Sequence, residues 1–251
     1  MNIIISGCNG KMGQVLTEEI EKEEGMKVVA GLDNNIFKEE NSYPVFESLL
    51  DFEGEADVII DFSHPSCLDD ILAYSIEKKI PLLIATTGFS SQQIEQIREG
   101  GQQIPILLSA NMSLGVNLLK NIVSKAASIL HNSFDTEIIE KHHNKKLDSP
   151  SGTAYMLADA INESLDGSME YIYGREGQAK REKKEIGIHA IRGGAISGEH
   201  TVIFAGPEET LELKHTALSK RVFATGALDA ARFLIKQNNG FYTMDDMFDM
   251  D

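Results

Sequence analysis

The sequence predicts an α/β chain in two parts, a parallel sheet covered by helices on both faces and then a smaller α+β domain. Three observations carry this. Five short apolar runs alternate with helical patterns through the first 110 residues, a glycine-rich turn follows the first run, and from about residue 113 successive strand patterns replace the alternation. Strand–helix repetition favours parallel pairing, because parallel neighbours need crossover connections and right-handed helices supply them.

In chain order, residues 3–6 read as a buried strand, and residues 11–23 place Met12, Val15, Leu16 and Ile20 on one helical face. Further strands are predicted at 27–32, 58–62, 81–85 and 104–108, with helices near 66–78 and 90–99. A long amphipathic helix is predicted over 116–130, then the alternating strand 136–141, a basic loop and a helix over 153–164. Strands at 185–191, 201–204 and 211–216 follow with no helix between them. After Lys220 a helical pattern returns, with Phe223, Ala227, Ala230, Ala231, Leu234 and Ile235 apolar, and periodicity alone does not place it in either domain. The segment 244–251 carries four aspartates and is expected near the surface.

Composition narrows the function. Twenty-three Lys and Arg against 39 Asp and Glu give a formal charge of −16, which argues against a general nucleic-acid binder, since a polyanion needs neutralising cations. No apolar stretch approaches the roughly 18 residues of a membrane helix. The segment Met1-Asn2-Ile3-Ile4-Ile5 has neither a basic leader nor a cleavage site, so a cytoplasmic protein is expected. Cys8 and Cys67 form no CxxC pair and read as ordinary thiols of a reducing compartment.

The turn Gly7-Cys8-Asn9-Gly10-Lys11-Met12-Gly13 joins the first strand to the first helix, where a dinucleotide pyrophosphate rests on helix N–H groups. The usual G-x-G-x-x-G would put glycines where Asn9 and Met12 stand; Asn9 is a residue that visits left-handed conformations. An ordinary strand–helix turn fits the same residues. Asp33 closes the second strand, placed to hold ribose hydroxyls or, equally, to open the Asn34-Asn35 turn. Thr86-Thr87-Gly88 and Ala110-Asn111-Met112 also follow strands, at the ends where open α/β sheets bind ligands, although each also reads as a polar loop.

The segment 137–153 is the most informative. Five of the six residues 141–146 can be cationic, within a strongly acidic chain. A solvated charged face is one reading. Against it, Ser151 is a good N-cap and Gly152-Thr153 begin a helix, so N–H groups point toward the cations and together they would form a pocket for a small carboxylate dianion. His142 and His143 point to opposite sides if they continue the strand, and no three-ligand metal spacing is present, so no metal is expected. A histidine and a desolvated lysine both suit proton transfer to an anionic substrate.

These residues resemble the dihydrodipicolinate (4-hydroxy-tetrahydrodipicolinate) reductase family of bacterial and plant diaminopimelate and lysine biosynthesis. The resemblance runs through Gly7 to Gly13, Asp61-Phe62-Ser63, Thr86-Thr87-Gly88-Phe89, Ala110-Asn111-Met112-Ser113, Glu140 to Thr153, Arg192-Gly193-Gly194, Gly198-Glu199-His200-Thr201 and Phe223-Ala224-Thr225-Gly226-Ala227. It implies a Rossmann-like dinucleotide-binding domain, residues 1–112 with 221–251, and a substrate domain, 113–220, whose mixed sheet assembles a homotetramer. It also implies a hinge that closes on a small dicarboxylate, and reduction of the cyclic substrate by NADH or NADPH with loss of water. Under the resemblance His142 is proton donor and acceptor, Lys146 is proton donor, and His143, Gly152 and Thr153 contact substrate. Cofactor contacts fall on Gly7, Cys8, Asn9, Gly10, Lys11, Met12, Asp33, Ala85, Thr86, Thr87, Ser109, Ala110, Asn111 and Met112.

Three departures bear on the cofactor: Lys11 stands where many members carry arginine, Asn34 where a basic residue is common, and His64 where arginine is frequent. Asp33 repels a 2′-phosphate while accepting bonds from a free 2′-hydroxyl, and Lys11 lacks the bidentate fork of arginine. NADH is therefore expected to be preferred and NADPH tolerated. A nucleotide-sensing module without turnover is a rival of a different class, but it leaves the segment from His142 to Thr153 unexplained; another carboxylic-acid reductase on the same scaffold is a second.

Overall fold

A computed structural model describes residues 1–36 and 41–248. They form two compact units, Met1–Ser113 with the C-terminal segment from Lys220, and Leu114–Ser219.

The first unit is a parallel sheet. Its strands are β1 (Asn2–Ser6), β2 (Lys27–Leu32), β3 (Val45–Phe46), β4 (Val58–Asp61), β5 (Leu82–Ile84), β6 (Pro105–Leu108) and, from the C-terminal segment, β12 (Gly240–Tyr242). The order is β12-β6-β5-β4-β1-β2-β3, and every pairing is parallel. Ile3, Ile4, Ile5, Val58, Ile59, Ile60, Leu82 and Leu83 are fully buried, as continuous apolar runs must be when helices cover both faces. The chain leaves β1 for β2 on one side and β4 lies on the other, so the order reverses at the carboxyl ends of β1 and β4.

Helices α1 (Lys11–Ile20), α2 (Leu68–Lys78) and α3 (Ser91–Gly100) provide the crossovers. The buried stripe of α1 is Gly13, Leu16, Thr17 and Ile20, rotated from the expected Met12-Val15-Leu16-Ile20 face. The cause is Gly13, where a Cβ would lie 2.3 Å from the Gly7 carbonyl oxygen, so the helix sits directly on its preceding turn. The Thr17 hydroxyl is accommodated on that stripe by donating to the Gly13 carbonyl at 3.0 Å.

The helix that periodicity left unplaced, α6 (Arg221–Leu234), packs on α1 and on β4, β5 and β6. Alanines 224, 227, 230 and 231 line its buried face and permit close approach. Arg221 pairs with Glu18 and Glu19 of α1, and Arg232 with Glu23. The 244–251 expectation needs correction at its start: Met244 is only 1% exposed and belongs to the core, held in a capped turn that contacts α6. Residues 249–251 of that segment lie outside the described residues.

The second unit contains α4 (Leu114–Leu130), β7 (Asp135–His142), α5 (Gly152–Glu163), β8 (Glu170–Tyr173), β9 (Glu185–Arg192), β10 (Gly198–Ala205) and β11 (Thr210–Ala217). Its mixed sheet runs β11-β10-β7-β9-β8, with β7–β9 and β8–β9 parallel and the others antiparallel. Alternation along β7 buries Thr136, Ile138, Glu140 and His142, and Ile138 packs into the core with Leu119 and Val123 of α4 and Leu157 and Ile161 of α5. Residues 135, 137, 139 and 141 of β7 face the opposite side and are only half-buried. The strand ends are longer than the pattern indicated. β7 reaches His142 and β9 reaches Arg192, and the two residues pair across the ladder.

Candidate active site

Each unit carries a polar cluster at strand ends. In the first unit, Gly7 adopts φ +76°, and a Cβ there would lie 2.5 Å from the Phe62 carbonyl oxygen, so only glycine fits. The Gly7 N–H donates to the Leu32 carbonyl at 2.8 Å and the Gly10 N–H to the Gly7 carbonyl at 3.0 Å, folding the turn onto β2. Gly10 then caps α1 without a side-chain bond, so first-turn N–H groups of Lys11 and Met12 have no intrahelical carbonyl to meet.

Two expectations about this turn change. Asn9 does not use the left-handed region; it is buried, with its side-chain amide donating to the Asn35 carbonyl at 2.6 Å and accepting from Asn41 at 2.8 Å. Cys8 presents no side chain to a ligand, since its thiol is fully buried behind β2 and burial pushes it up to about 12. The Asp33 carboxylate accepts the Asn9 N–H and the Asn35 N–H, each at 3.0 Å, which fixes it beside the glycine turn. A cavity of about 580 Å³ opens here, lined by Gly7, Gly10, Asp33, Asn34 and His64 among others. Four carboxylates line it, Asp33, Glu47, Asp70 and Glu77, and no Lys or Arg does among the described residues.

The neighbouring strand ends are braced by a group to which the sequence reading gave no role. Asp61 is buried and accepts both the N–H (3.2 Å) and the hydroxyl (2.5 Å) of Ser63, while Thr86 Oγ1 accepts the Ser63 N–H at 2.8 Å. Burial raises the Asp61 carboxyl above its ordinary value despite those bonds. Ala85 and Thr86 are buried and Thr87 is exposed. Ser109 Oγ donates to the Asn111 carbonyl at 2.9 Å; Ala110 is exposed and Met112 is 1% exposed, in the core.

In the second unit one carboxylate organises everything. Glu140, fully buried, accepts from His142 Nδ1 (2.7 Å), from the Ser151 N–H (2.9 Å) and from both terminal nitrogens of Arg192 (2.7 Å each). Burial alone would raise this carboxyl, but the bonds from Arg192, His142 and Ser151 outweigh it and hold the group below the usual carboxylate range. Arg192 also donates to the Asp148 carbonyl at 2.8 Å, tying down the basic loop. Ser151 caps α5 through Oγ, which accepts the Ala154 N–H at 3.2 Å and lies 2.9 Å from His200 Nε2. The rings of His142 and His200 meet edge to face at 5.2 Å.

The cationic segment divides. Lys141 faces away from His142 and pairs with Glu199, so it is not part of a common pocket with the other cations. Lys146 returns toward the strand through a turn in which its N–H donates to the His143 carbonyl at 3.2 Å, and its ammonium pairs with Asp148 at 2.8 Å. His143 Nδ1 is buried without a protein partner. Gly152 is exposed, and a Cβ there would meet nothing within 4 Å. Thr153 follows it in the first turn of α5. Glu140, Arg192 and His200 were missed as functional candidates; a glutamate two residues before a histidine on the buried face of an alternating strand was the available signal.

Family models for the N-terminus and the C-terminus of dihydrodipicolinate reductase match residues 1–112 and 115–248. The chain belongs to the dihydrodipicolinate reductase family. The 4-hydroxy-tetrahydrodipicolinate reductase of Clostridium novyi is 50% identical over 98% of this chain and 97% of its own. That of Caldanaerobacter subterraneus is 49% identical, over 98% of both. A dipicolinate-bound dihydrodipicolinate reductase from Paenisporosarcina sp. TG-14 shares the fold at a TM-score of 0.84, with 23% identity and 99% of each chain covered. GenD2 of gentamicin biosynthesis, solved with NAD, is more distant, at a TM-score of 0.64 and 10% identity over 98% of this chain and 89% of that one.

Proposed function

We propose that this chain reduces 4-hydroxy-tetrahydrodipicolinate to tetrahydrodipicolinate, with loss of water and at the expense of NADH or NADPH, in the diaminopimelate route to lysine in the cytoplasm. The observation that carries the reading is the buried Glu140, which bonds both His142 and the Ser151 N–H at the start of α5 and, through Arg192, holds the Asp148 carbonyl of the loop that carries Lys146. Relatives that are about half identical along nearly the whole chain bear the name of this reaction.

The first unit fits a dinucleotide on its own geometry: a glycine-only turn, uncommitted N–H groups at the start of α1 for a pyrophosphate, and the fixed Asp33 carboxylate for ribose hydroxyls. When bound, the reduced nicotinamide supplies the hydride. Gly7, Gly10, Lys11 and Met12 would hold the phosphates, and Ala85, Thr86, Thr87, Ser109, Ala110 and Asn111 would supply the remaining contacts, whereas Met112, buried in the core, offers no side chain to them. The acidic lining of the cavity adds to the argument from Asp33 and Asn34 that NADH is preferred.

In the second unit, Gly152 and Thr153 donate N–H groups to one carboxylate of the substrate, and His143 contacts it as well. Lys146, protonated, gives a proton as water leaves, and exchanges its Asp148 partner for the dianion. His142 supplies or takes the second proton through Nε2. The half-buried sheet face opposite α4 and α5 assembles a homotetramer. The experiment is replacement of either proton-transfer residue: Lys146→Ala or His142→Ala lowers kcat by about 100-fold or more, and near-normal turnover in both refutes the roles.

A further inference from the structure

We infer that Glu140 is a positioning residue that holds His142 in its working tautomer and joins it to the helix start where substrate binds. The inference rests on the reading of His142 as the proton-transfer group. An ionised carboxylate has no proton to give, and Glu140 is surrounded by donors: two guanidinium nitrogens, a backbone N–H and His142 Nδ1. The hydrogen between Glu140 and His142 therefore sits on Nδ1. That leaves Nε2 as an acceptor in the neutral ring and as a donor in the protonated one, the two states that proton transfer requires.

Two further features agree. A Cβ on residue 198 would lie 3.2 Å from His142 Nε2, so Gly198 keeps that nitrogen uncrowded. The same carboxylate holds the Ser151 N–H beside the start of α5, and through Arg192 the Asp148 carbonyl of the loop carrying Lys146. A single buried charge thus sets the histidine, the helix start and the lysine loop in one frame.

The test is Glu140→Gln, which keeps the volume and one acceptor oxygen. Its amide nitrogen can replace either carboxylate oxygen. At the Oε1 position it would face Arg192 and the Ser151 N–H, neither of which can become an acceptor. At the Oε2 position it faces Arg192 and His142 Nδ1, and the histidine can accept by exchanging tautomer. E140Q should therefore carry the Nε2–H tautomer. Nitrogen NMR of the imidazole rings, assigned with a His142→Gln control, should show Nδ1–H in the parent and Nε2–H in E140Q. Turnover should fall roughly 10²- to 10⁴-fold while KM stays within about threefold.

An Nε2–H tautomer in the parent overturns the inference, and that reading needs no variant. So does an E140Q that keeps kcat within about threefold of the parent, or one that loses turnover while retaining Nδ1–H, since the loss is then structural. Normal turnover in His142→Ala would instead sink the role of His142 and leave the tautomer result standing.

Discussion

His200 Nε2 lies 2.9 Å from the hydroxyl of Ser151, the residue that caps α5. Burial, reinforced by the neighbouring His142, pushes His200 down to about 4, so the ring is neutral at pH 7. Because the folded value is depressed, the unfolded chain takes up a proton near pH 6.5 that the folded chain refuses until about pH 4. The associated stability is complete above pH 6.5 and is lost as pH falls through that window. Between pH 7 and pH 5 the loss should be roughly 2 kcal/mol. Urea unfolding at both pH values checks this, with His200→Gln expected to show a flatter dependence.

In the proposed substrate pocket it is the ligand, not the protein, that would exclude a side chain at Gly152. Since a Cβ there meets nothing within 4 Å, Gly152→Ala should fold normally, with alanine the better helix former. With a carboxylate seated on the N–H groups of 152 and 153, the methyl intrudes. KM for the cyclic substrate should rise about tenfold or more, with a smaller change in kcat; unchanged KM would remove the carboxylate from this helix start.

The contrast between what the sequence disclosed and what it hid has a physical basis. The central strands were legible because burial on both faces demands unbroken apolar runs, as in Ile3-Ile4-Ile5 and Val58-Ile59-Ile60. β3 and β12 have two and three residues, too few for any periodicity, and owe their pairing to β2 and β6 already being in place. The glycine turn was legible as a motif, but the close contact of Gly13 with Gly7 and the side-chain bonds of Asn9 depend on segments brought together by folding. Reading 136–141 as a strand stopped one residue short of His142, which concealed that Glu140 and His142 share a face and that Arg192 stands opposite.

The charge around the cavity bears on cofactor choice. With four carboxylates among the described residues that line it, and Lys11 the opposing cation exposed at the helix start, a 2′-phosphate would meet net repulsion. NADH should be favoured by roughly a few-fold to tens-fold in kcat/KM, equivalent to about 1 to 2 kcal/mol. Asn34→Arg should narrow that ratio by supplying a bidentate cation. The comparison is made at fixed low ionic strength, because salt screens the contact. A clear NADPH preference in the parent would contradict the assignment.

Assembly should run through the second sheet, whose uncovered face carries Ile139, Ile203 and the 46% exposed Ile191. Light scattering at micromolar concentration should report a tetramer, and Ile191→Asp should shift it toward smaller species. A monomeric parent would count against this interface.

The most direct test of the central claim is single-turnover oxidation of NADH by the purified chain given freshly generated 4-hydroxy-tetrahydrodipicolinate. The account predicts loss of NADH absorbance only when enzyme and cyclic substrate are both present, with tetrahydrodipicolinate formed in equal amount and the signal abolished in the Lys146→Ala, His142→Ala double variant. Tight NADH binding with no oxidation, in the presence of substrate and with NADPH equally inert, would contradict it and favour a nucleotide-sensing role.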